Sequence, residues 1–333
     1  MTKAQYGLTT IGNALVDVLS PSSEEFVAGQ AAHGMIRGAM NLIDANRALQ
    51  LYNAMGPATE VSGGSAGNTM ACYASFGGKG AYVGKVGKDQ LGEVFRHDLR
   101  AMGVSHTTAP SQTGTPTGRC MILITPDGER TMNTFLGAAT ELYPDDIETD
   151  VIEAAQVTYL EGYLFDKKPA MEAYFRASAI AHNADRKVSL SLSDPFCVDR
   201  HRAPFQELVE SHVDILFANE EEIKSLYEVN TFEEALSIVK NKCDIAALTR
   251  SEKGSVIVTK DSITEIKAEP VAKVVDTTGA GDAYAAGFLF GYTQGKDMAT
   301  CGKFASIAAA EVISHIGPRP QAVLAELAQK KAA

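Results

Sequence analysis

The 333-residue sequence predicts an α/β protein built on a mostly parallel sheet. Three observations carry this expectation. From about residue 150, short apolar, β-prone runs alternate with helical stretches, the pattern of right-handed βαβ units. The N-terminal third is rich in glycine and short strand-like pieces. The length suits one large α/β domain or two smaller units, and such a chain buries enough surface to fold without disulfides or metal.

The elements follow in order. Gly7 to Leu19 reads as strand through Asn13-Ala14-Leu15-Val16-Asp17, and a helical insert is expected from about Met40 to Met55. Asp89 to Met102 is amphipathic, with Leu91, Val94, Phe95, Leu99 and Met102 on one stripe and Gly103 placed to stop it. Cys120–Thr125 and Glu129–Thr134, joined through Pro126-Asp127-Gly128, read as a β-hairpin. Strands are expected at 157–160, 188–192, 213–217 and 245–248. Between them lie a helix from about Ala170 to His182, a short helix, and a helix near Phe232 to Lys242. Ligands of such sheets bind beyond the carboxyl ends of the strands, where Glu161-Gly162-Tyr163, Ser193-Asp194, Asn219–Glu222 and Thr249-Arg250 fall.

Composition narrows the function. The formal net charge of −11 argues against nucleic-acid or acidic-membrane partners, which need clustered positive charge. The N-terminus lacks the apolar run of a signal peptide, and no segment is apolar for long enough to span a membrane. Five scattered cysteines without a C-x-x-C pair predict a reduced, cytoplasmic protein, and the seven histidines lack metal spacing.

The sharpest feature is Asp276-Thr277-Thr278-Gly279-Ala280-Gly281-Asp282, expected to be a Gly-rich loop running from a strand at Val274-Val275 into an apolar helix. Small residues at a helix N-terminus let an anion approach backbone N–H groups, where the helix dipole also favours it. A carboxylate beside an anion site makes chemical sense if Asp282 takes the proton of a hydroxyl that attacks a bound phosphate. The plainer reading is a turn followed by a first-turn acid. The loop is neither a Walker A sequence nor a dinucleotide fingerprint, which disfavours an oxidoreductase.

These residues resemble the C-terminal signature of the ribokinase-like (PfkB) carbohydrate and nucleoside kinases. Gly63-Gly64-Ser65-Ala66-Gly67-Asn68 with Gly77-Gly78, the run Gly84–Gly92, and Asn219-Glu220-Glu221-Glu222 resemble further blocks of that family in the same order. Met70 stands where a small residue is usual, and the usual T-x-G becomes Thr249-Arg250-Ser251. The resemblance covers nearly the whole chain. It implies one domain over residues 1–333, with a three-layer α/β/α core, a mostly parallel central sheet, and a small β-sheet lid from about 14–61 and 113–137.

It also implies roles. Asp282 is the expected catalytic base, the amides of Gly279, Ala280 and Gly281 the anion hole, and Arg130 the arginine closing over the phosphate. Thr249, Thr278, Gly279, Gly281 and Asn219 are expected at ATP, with Asn219 and Glu222 organising Mg²⁺. Asn219 and Glu222 also fit a plain capping box, and both readings stand together. Asn13, Asp17, Gly64 and Asn68 match acceptor positions. Asp17 suits two adjacent sugar hydroxyls, since a carboxylate accepts both, while Asn68 is equally an ordinary helix-start amide.

The chain is most similar to the adenosine kinase branch, through Gly12–Asp17, Leu192-Ser193-Asp194-Pro195-Phe196 and His315-Ile316-Gly317-Pro318. The expectation is ATP-dependent phosphorylation of a nucleoside 5′-hydroxyl, adenosine first. Met40, Met132, Leu136 and Tyr163 are candidates for the base wall or for packing. A kinase of a free sugar or another nucleoside is the alternative, and a non-catalytic nucleoside sensor a more distant one. The family also suggests a monovalent cation such as K⁺ near Asp276 and Ser314–Gly317. A monomer and a homodimer are both compatible with the sequence.

Overall fold

The computed structural model describes residues 4–332. Thirteen strands form two sheets among these residues. They are β1 (Tyr6–Ile11), β2 (Leu15–Pro21), β3 (Met40–Leu42), β4 (Thr59–Gly63), β5 (Gly80–Val83), β6 (Gly118–Ile124) and β7 (Arg130–Phe135), followed by β8 (Ala155–Glu161), β9 (Lys187–Ser191), β10 (Ile215–Asn219), β11 (Ile245–Thr249), β12 (Ser255–Thr259) and β13 (Ile263–Ile266). The large sheet has the order β13-β12-β11-β10-β9-β8-β1-β5. Its six strands from β11 to β5 run parallel, and β12 and β13 close one edge antiparallel.

Both faces of this sheet are covered, so β10 and β11 read as nearly continuous apolar runs rather than alternating ones. On β10, Ile215 and Phe217 enter one core while Leu216 and Ala218 enter the other. On β11, Ile245 and Ala247 oppose Ala246 and Leu248 in the same way. Helices 168–183, 195–212, 220–227 and 232–239 contribute to the first layer, and helices 65–75, 90–101, 280–293 and 298–312 to the second. The result is a three-layer α/β/α core with a mostly parallel central sheet.

The smaller sheet, β3-β7-β6-β2-β4, draws on residues 15–63 and 118–135. Val18, Met121 and Leu123 on one of its faces pack under Val27, Ala48 and Leu51 of helices 24–29 and 45–54. The opposite face, with Asp17, Cys120, Met132 and Arg130, looks toward the carboxyl ends of the large sheet. Arg130–Asp276 and Arg319–Ser62 contacts join the two parts there.

Four local expectations are corrected. Gly7 to Leu19 is not one strand: β1 ends at Ile11 in the large sheet, and β2 begins at Leu15 in the smaller one. The insert from Met40 begins as strand: β3 pairs with β7 in the register Met40↔Met132, and the helix starts only at Ala45, capped by Asp44. The short helix after β9 is eighteen residues long, Pro195–His212, and bends at His201, where φ is −129°. Pro204 lies one turn further on, and its ring excludes the regular helical approach of the carbonyl four residues earlier. Val274-Val275 is not a strand. Both side chains are exposed, and the Val275 amide donates to the Ile313 carbonyl at the end of helix 298–312 instead of to a sheet.

Candidate active site

The site lies where the sheet geometry places it, on the rim formed by the ends of the parallel strands. β1 delivers Asn13 two residues past its end, β8 ends at Glu161, and β10 and β11 end at the paired residues Asn219 and Thr249.

Asp282 stands in the first turn of helix 280–293, facing the first turn of helix 65–75. Its Oδ1 accepts the Ser65 hydroxyl at 2.6 Å, and its Oδ2 accepts Asn68 Nδ2 at 3.3 Å. Removal from water pushes its pKa up to about 6; the two hydrogen bonds oppose this, and the negative charge of Asp17 reinforces it. A carboxylate held in place yet with a pKa this close to neutrality is suited to accept a proton at physiological pH.

The loop before it is tied on both sides. Asp276 Oδ1 accepts the Thr278 amide at 3.0 Å, and Oδ2 accepts the Gly317 amide at 2.9 Å. Gly279 caps the helix at φ 79°, with Pro318 packed so close that a Cβ there would collide with it. The expected trio of anion-binding amides is reduced to two. The Ala280 amide donates to the Thr277 carbonyl at 3.2 Å, because the turn closes on itself there. The amides of Gly279 and Gly281 take no partner among the described residues.

Across the cleft, Asp17 sits on β2 between Val61 of β4 and Cys120 of β6. Burial pushes its carboxyl up to about 6, while the charges of Arg319 and then Arg130 favour its ionised form. It lies over Gly63, where any Cβ would strike the carboxylate. Gly64, at φ 82°, leaves room for the Asn13 carbonyl in the same way. Asn13 Nδ2 donates to Glu161 Oε1 at 2.6 Å, and its own Oδ1 is buried without a partner among the described residues.

Glu161 is a hub that the sequence placed on the rim without a role. It is 1% exposed and also accepts the amides of Asn13 at 3.2 Å and Ala66 at 2.8 Å. Burial pushes it up to about 7 against those bonds. Arg130 reaches from β7 to pair its Nη1 with Asp276 Oδ2 at 3.0 Å, and its Nη2 has no hydrogen-bond partner among the described residues. Met132 is half-buried on the cleft face of β7. The Tyr163 hydroxyl is raised above its ordinary value by burial and by the carboxylates of Asp194, Asp282, Glu222 and Glu161.

On the other side of the loop, Asn219 and Glu222 form a reciprocal capping box. Asn219 Oδ1 accepts the Glu222 amide at 2.8 Å, while Glu222 accepts the Asn219 amide at 2.9 Å and Nδ2 at 2.7 Å. Burial, then the negative charges of Asp194 and Asp282, push Glu222 up to about 7. Thr249 neighbours this pair. Ser251, at the position of the glycine in the T-x-G pattern, adopts a left-handed backbone at φ 50°. Arg250 is held aside, bonded to Glu220 at 3.0 Å and stacked over Phe232.

Ser65 and Arg319 are further site residues without a sequence-level assignment. Ser65 stood inside a recognised glycine block. Arg319 lies just past the C-terminal Gly317-Pro318 and carries no local pattern; only the fold returns it to the cleft.

A parallel α/β core, a smaller sheet facing its rim, and a carboxylate at a Gly-rich helix start define a phosphotransferase acting on a hydroxyl group. The comparisons agree. The profile described as "pfkB family carbohydrate kinase" matches residues 38–323. The adenosine kinase of Sinorhizobium meliloti is 52% identical in sequence, with TM-score 0.90 and coverage of 99% of this chain and 100% of that one. A probable sugar kinase from Rhizobium etli CFN 42 is 50% identical, with TM-score 0.91 and 99% coverage of each chain. The adenosine kinase of Saccharomyces cerevisiae is 28% identical over 93% of this chain and 96% of its own length.

The chain belongs to the pfkB family of carbohydrate kinases and groups with its adenosine kinase branch. It is an ATP-dependent kinase with an alcohol group as acceptor.

Proposed function

We propose that the chain transfers the γ-phosphoryl group of ATP to the 5′-hydroxyl of adenosine, giving AMP. The observation that carries this reading is the placement of Asp282. It lies between the Gly279–Gly281 turn on one side and a pocket of Asp17, Asn13 and Asn68 on the other. Asp282 takes the proton of the attacking hydroxyl. Asp17 and the unpartnered Asn13 Oδ1 accept the ribose hydroxyls, and Glu161 fixes Asn13 and the Ala66 amide so that both strand ends keep their spacing. The free amides of Gly279 and Gly281 and the Arg130 guanidinium, held through Nη1 by Asp276, face the transferring phosphoryl group, where fixed donors stabilise developing charge. Gly64, Thr278, Met132 and Tyr163 line the pocket or its loops, and Thr249 lies beside the phosphates.

The residues present fit Mg²⁺. Mg²⁺ keeps several waters and takes few protein ligands, the rest coming from phosphates. Asn219 and Glu222 supply a carboxamide and a carboxylate, the hard oxygen donors that Mg²⁺ takes directly or through its waters. Asn219 and Glu222 would hold its waters, and its chemistry there is neutralisation of phosphate charge. A monovalent cation such as K⁺ near Asp276 and Ser314–Gly317 rests on the family resemblance alone, and no step is assigned to it.

The smaller sheet serves as a lid that excludes water during transfer. Its outer face is already covered by its own helices, which favours a monomer. No helix among the described residues is long and apolar enough to cross a membrane; with the unpaired cysteines this supports the cytoplasmic assignment.

The test is ADP release with adenosine, inosine, guanosine, ribose and fructose. Adenosine should give the highest kcat/KM. A second reading, a free-sugar kinase, is favoured by the Rhizobium etli neighbour, and turnover of a sugar alone would establish it.

A further inference from the structure

Arg319 has no assigned role, yet it is the residue the fold sends into the acceptor pocket from the C-terminal side. The segment that carries it is fixed residue by residue. Gly317 donates its amide to Asp276, Pro318 packs on Gly279, and Arg319 turns inward over Gly67. Its Nη1 donates to Ser62 Oγ on β4 at 2.8 Å, and its Nε donates to Asn68 Oδ1 at 3.4 Å. The planar guanidinium is thereby held from two sides. Its Nη2 is buried and has no partner among the described residues.

That nitrogen belongs to a set. Asn13 Oδ1 and Arg130 Nη2 are also buried and without a hydrogen-bond partner among the described residues, while Arg130 Nη1 pairs with Asp276. Among the described residues no hydrogen bond engages the Asp17 carboxylate either, although Arg319 is the foremost attractive charge acting on it. Buried polar groups are ordinarily partnered, so a cluster of orphans around one cleft marks groups that a ligand completes. The pattern is directional. Asp17 and Asn13 Oδ1 offer acceptors, and Arg319 Nη2, on a guanidinium anchored to Ser62 of the strand paired with that of Asp17, offers a donor. A hydroxyl is the group that answers both, since it donates one hydrogen bond and accepts others.

We infer that Arg319 is an acceptor-binding residue: Nη2 donates to a ring hydroxyl oxygen of the substrate whose proton is given to Asp17. Arg319 and Asp17 then grip one hydroxyl of a vicinal diol from opposite sides. The inference rests on the proposed acceptor-pocket reading of Asp17 and extends it to a specificity determinant. The arrangement also selects the hydroxylated ligand, because a deoxy analogue leaves both a buried carboxylate and a buried guanidinium nitrogen unanswered.

The experiment measures calorimetric binding of adenosine, 2′-deoxyadenosine and 3′-deoxyadenosine, without ATP, to the wild-type protein, Arg319→Met and Arg319→Lys. Wild type should bind one of the deoxy analogues at least roughly tenfold more weakly than adenosine. In R319M adenosine affinity should fall about 10- to 100-fold, the range of a lost charge-assisted bond. The penalty for removing that same hydroxyl should shrink to within about threefold. R319K keeps the charge but cannot hold Ser62, Asn68 and ligand together, so its penalty should also shrink, and it decides the matter if R319M does not fold. Equal weakening of all three ligands would show that Arg319 only shapes the pocket, and unchanged affinities would show it plays no part; either overturns the inference. If wild type binds ribose and not adenosine, the nucleoside proposal falls, and ribose with its 2- and 3-deoxy forms decides Arg319 by the same criterion. If wild type binds neither, the acceptor reading and this inference fall together.

Discussion

Replacing Asp282 by asparagine should make the enzyme nearly inactive and its ligand-free fold more stable. Asparagine keeps the size of the side chain and can still accept the Ser65 hydroxyl, so the geometry of the site is retained. It cannot take a proton, and a positioned general base contributes about 10²- to 10⁴-fold, so turnover should fall by that factor. The stability gain follows from the pKa. Burial lifts the Asp282 carboxyl from its ordinary 3.8 to about 6. At 1.36 kcal/mol per tenfold, the ionised form costs the fold about 3 kcal/mol at neutral pH. The sign is that of an acid with a raised folded-state pKa. The cost is fully present above pH 6, is relieved as pH falls through 6, and is gone below the unfolded value near 3.9. Urea unfolding at pH 7.5 should therefore show D282N more stable by up to about 3 kcal/mol, and the advantage should shrink steadily toward pH 4.5. Wild-type kcat/KM should fall on the acid side with a midpoint near 6, to which Asp17 also contributes. Near-normal turnover of D282N would refute the base assignment. Equal or lower stability at pH 7.5 would refute the claim that the carboxylate is held at a cost.

Other perturbations separate the remaining parts of the site. Ser251→Gly should stabilise the protein by about 1 kcal/mol in urea melts, because the left-handed backbone strains a side chain there, and it should leave adenosine binding unchanged. Gly64→Ala brings a Cβ against the Asn13 carbonyl at an unfavourable φ; adenosine KM should rise more than tenfold, with loss of a few kcal/mol of stability. Arg130→Met should reduce kcat by about 10²-fold while leaving the adenosine dissociation constant within a few-fold, measured by rapid-quench turnover and calorimetry. Chelating divalent cations with EDTA should abolish ADP release, and added Mg²⁺ should restore it.

Much of this was legible in the chain because its signals are local. Alternating strand and helix patterns gave the parallel core, Asp127-Gly128 gave the hairpin of β6 and β7, and Gly279-Ala280-Gly281-Asp282 marked the glycine start of helix 280–293 with a carboxylate in its first turn. The errors were local as well. Val274-Val275 looks like a strand by composition, yet its backbone finds a helix end rather than a sheet edge. The Ala280 amide looked free, but the turn geometry uses it within the loop.

What the sequence by itself determined is the class of fold and the residues able to do the chemistry, since both depend on periodicity and on short motifs. Only the tertiary structure decided how those residues share one cleft. Asp17 and Asp282 lie 265 positions apart and act on each other only because β2 and helix 280–293 meet across the rim. Glu161 becomes a hub only when β8 lies beside β1, and Arg319 reaches Asn68 across 251 positions of chain. Burial, and with it the pKa of every carboxylate in the site, is a property of packed neighbours, which no window of sequence contains.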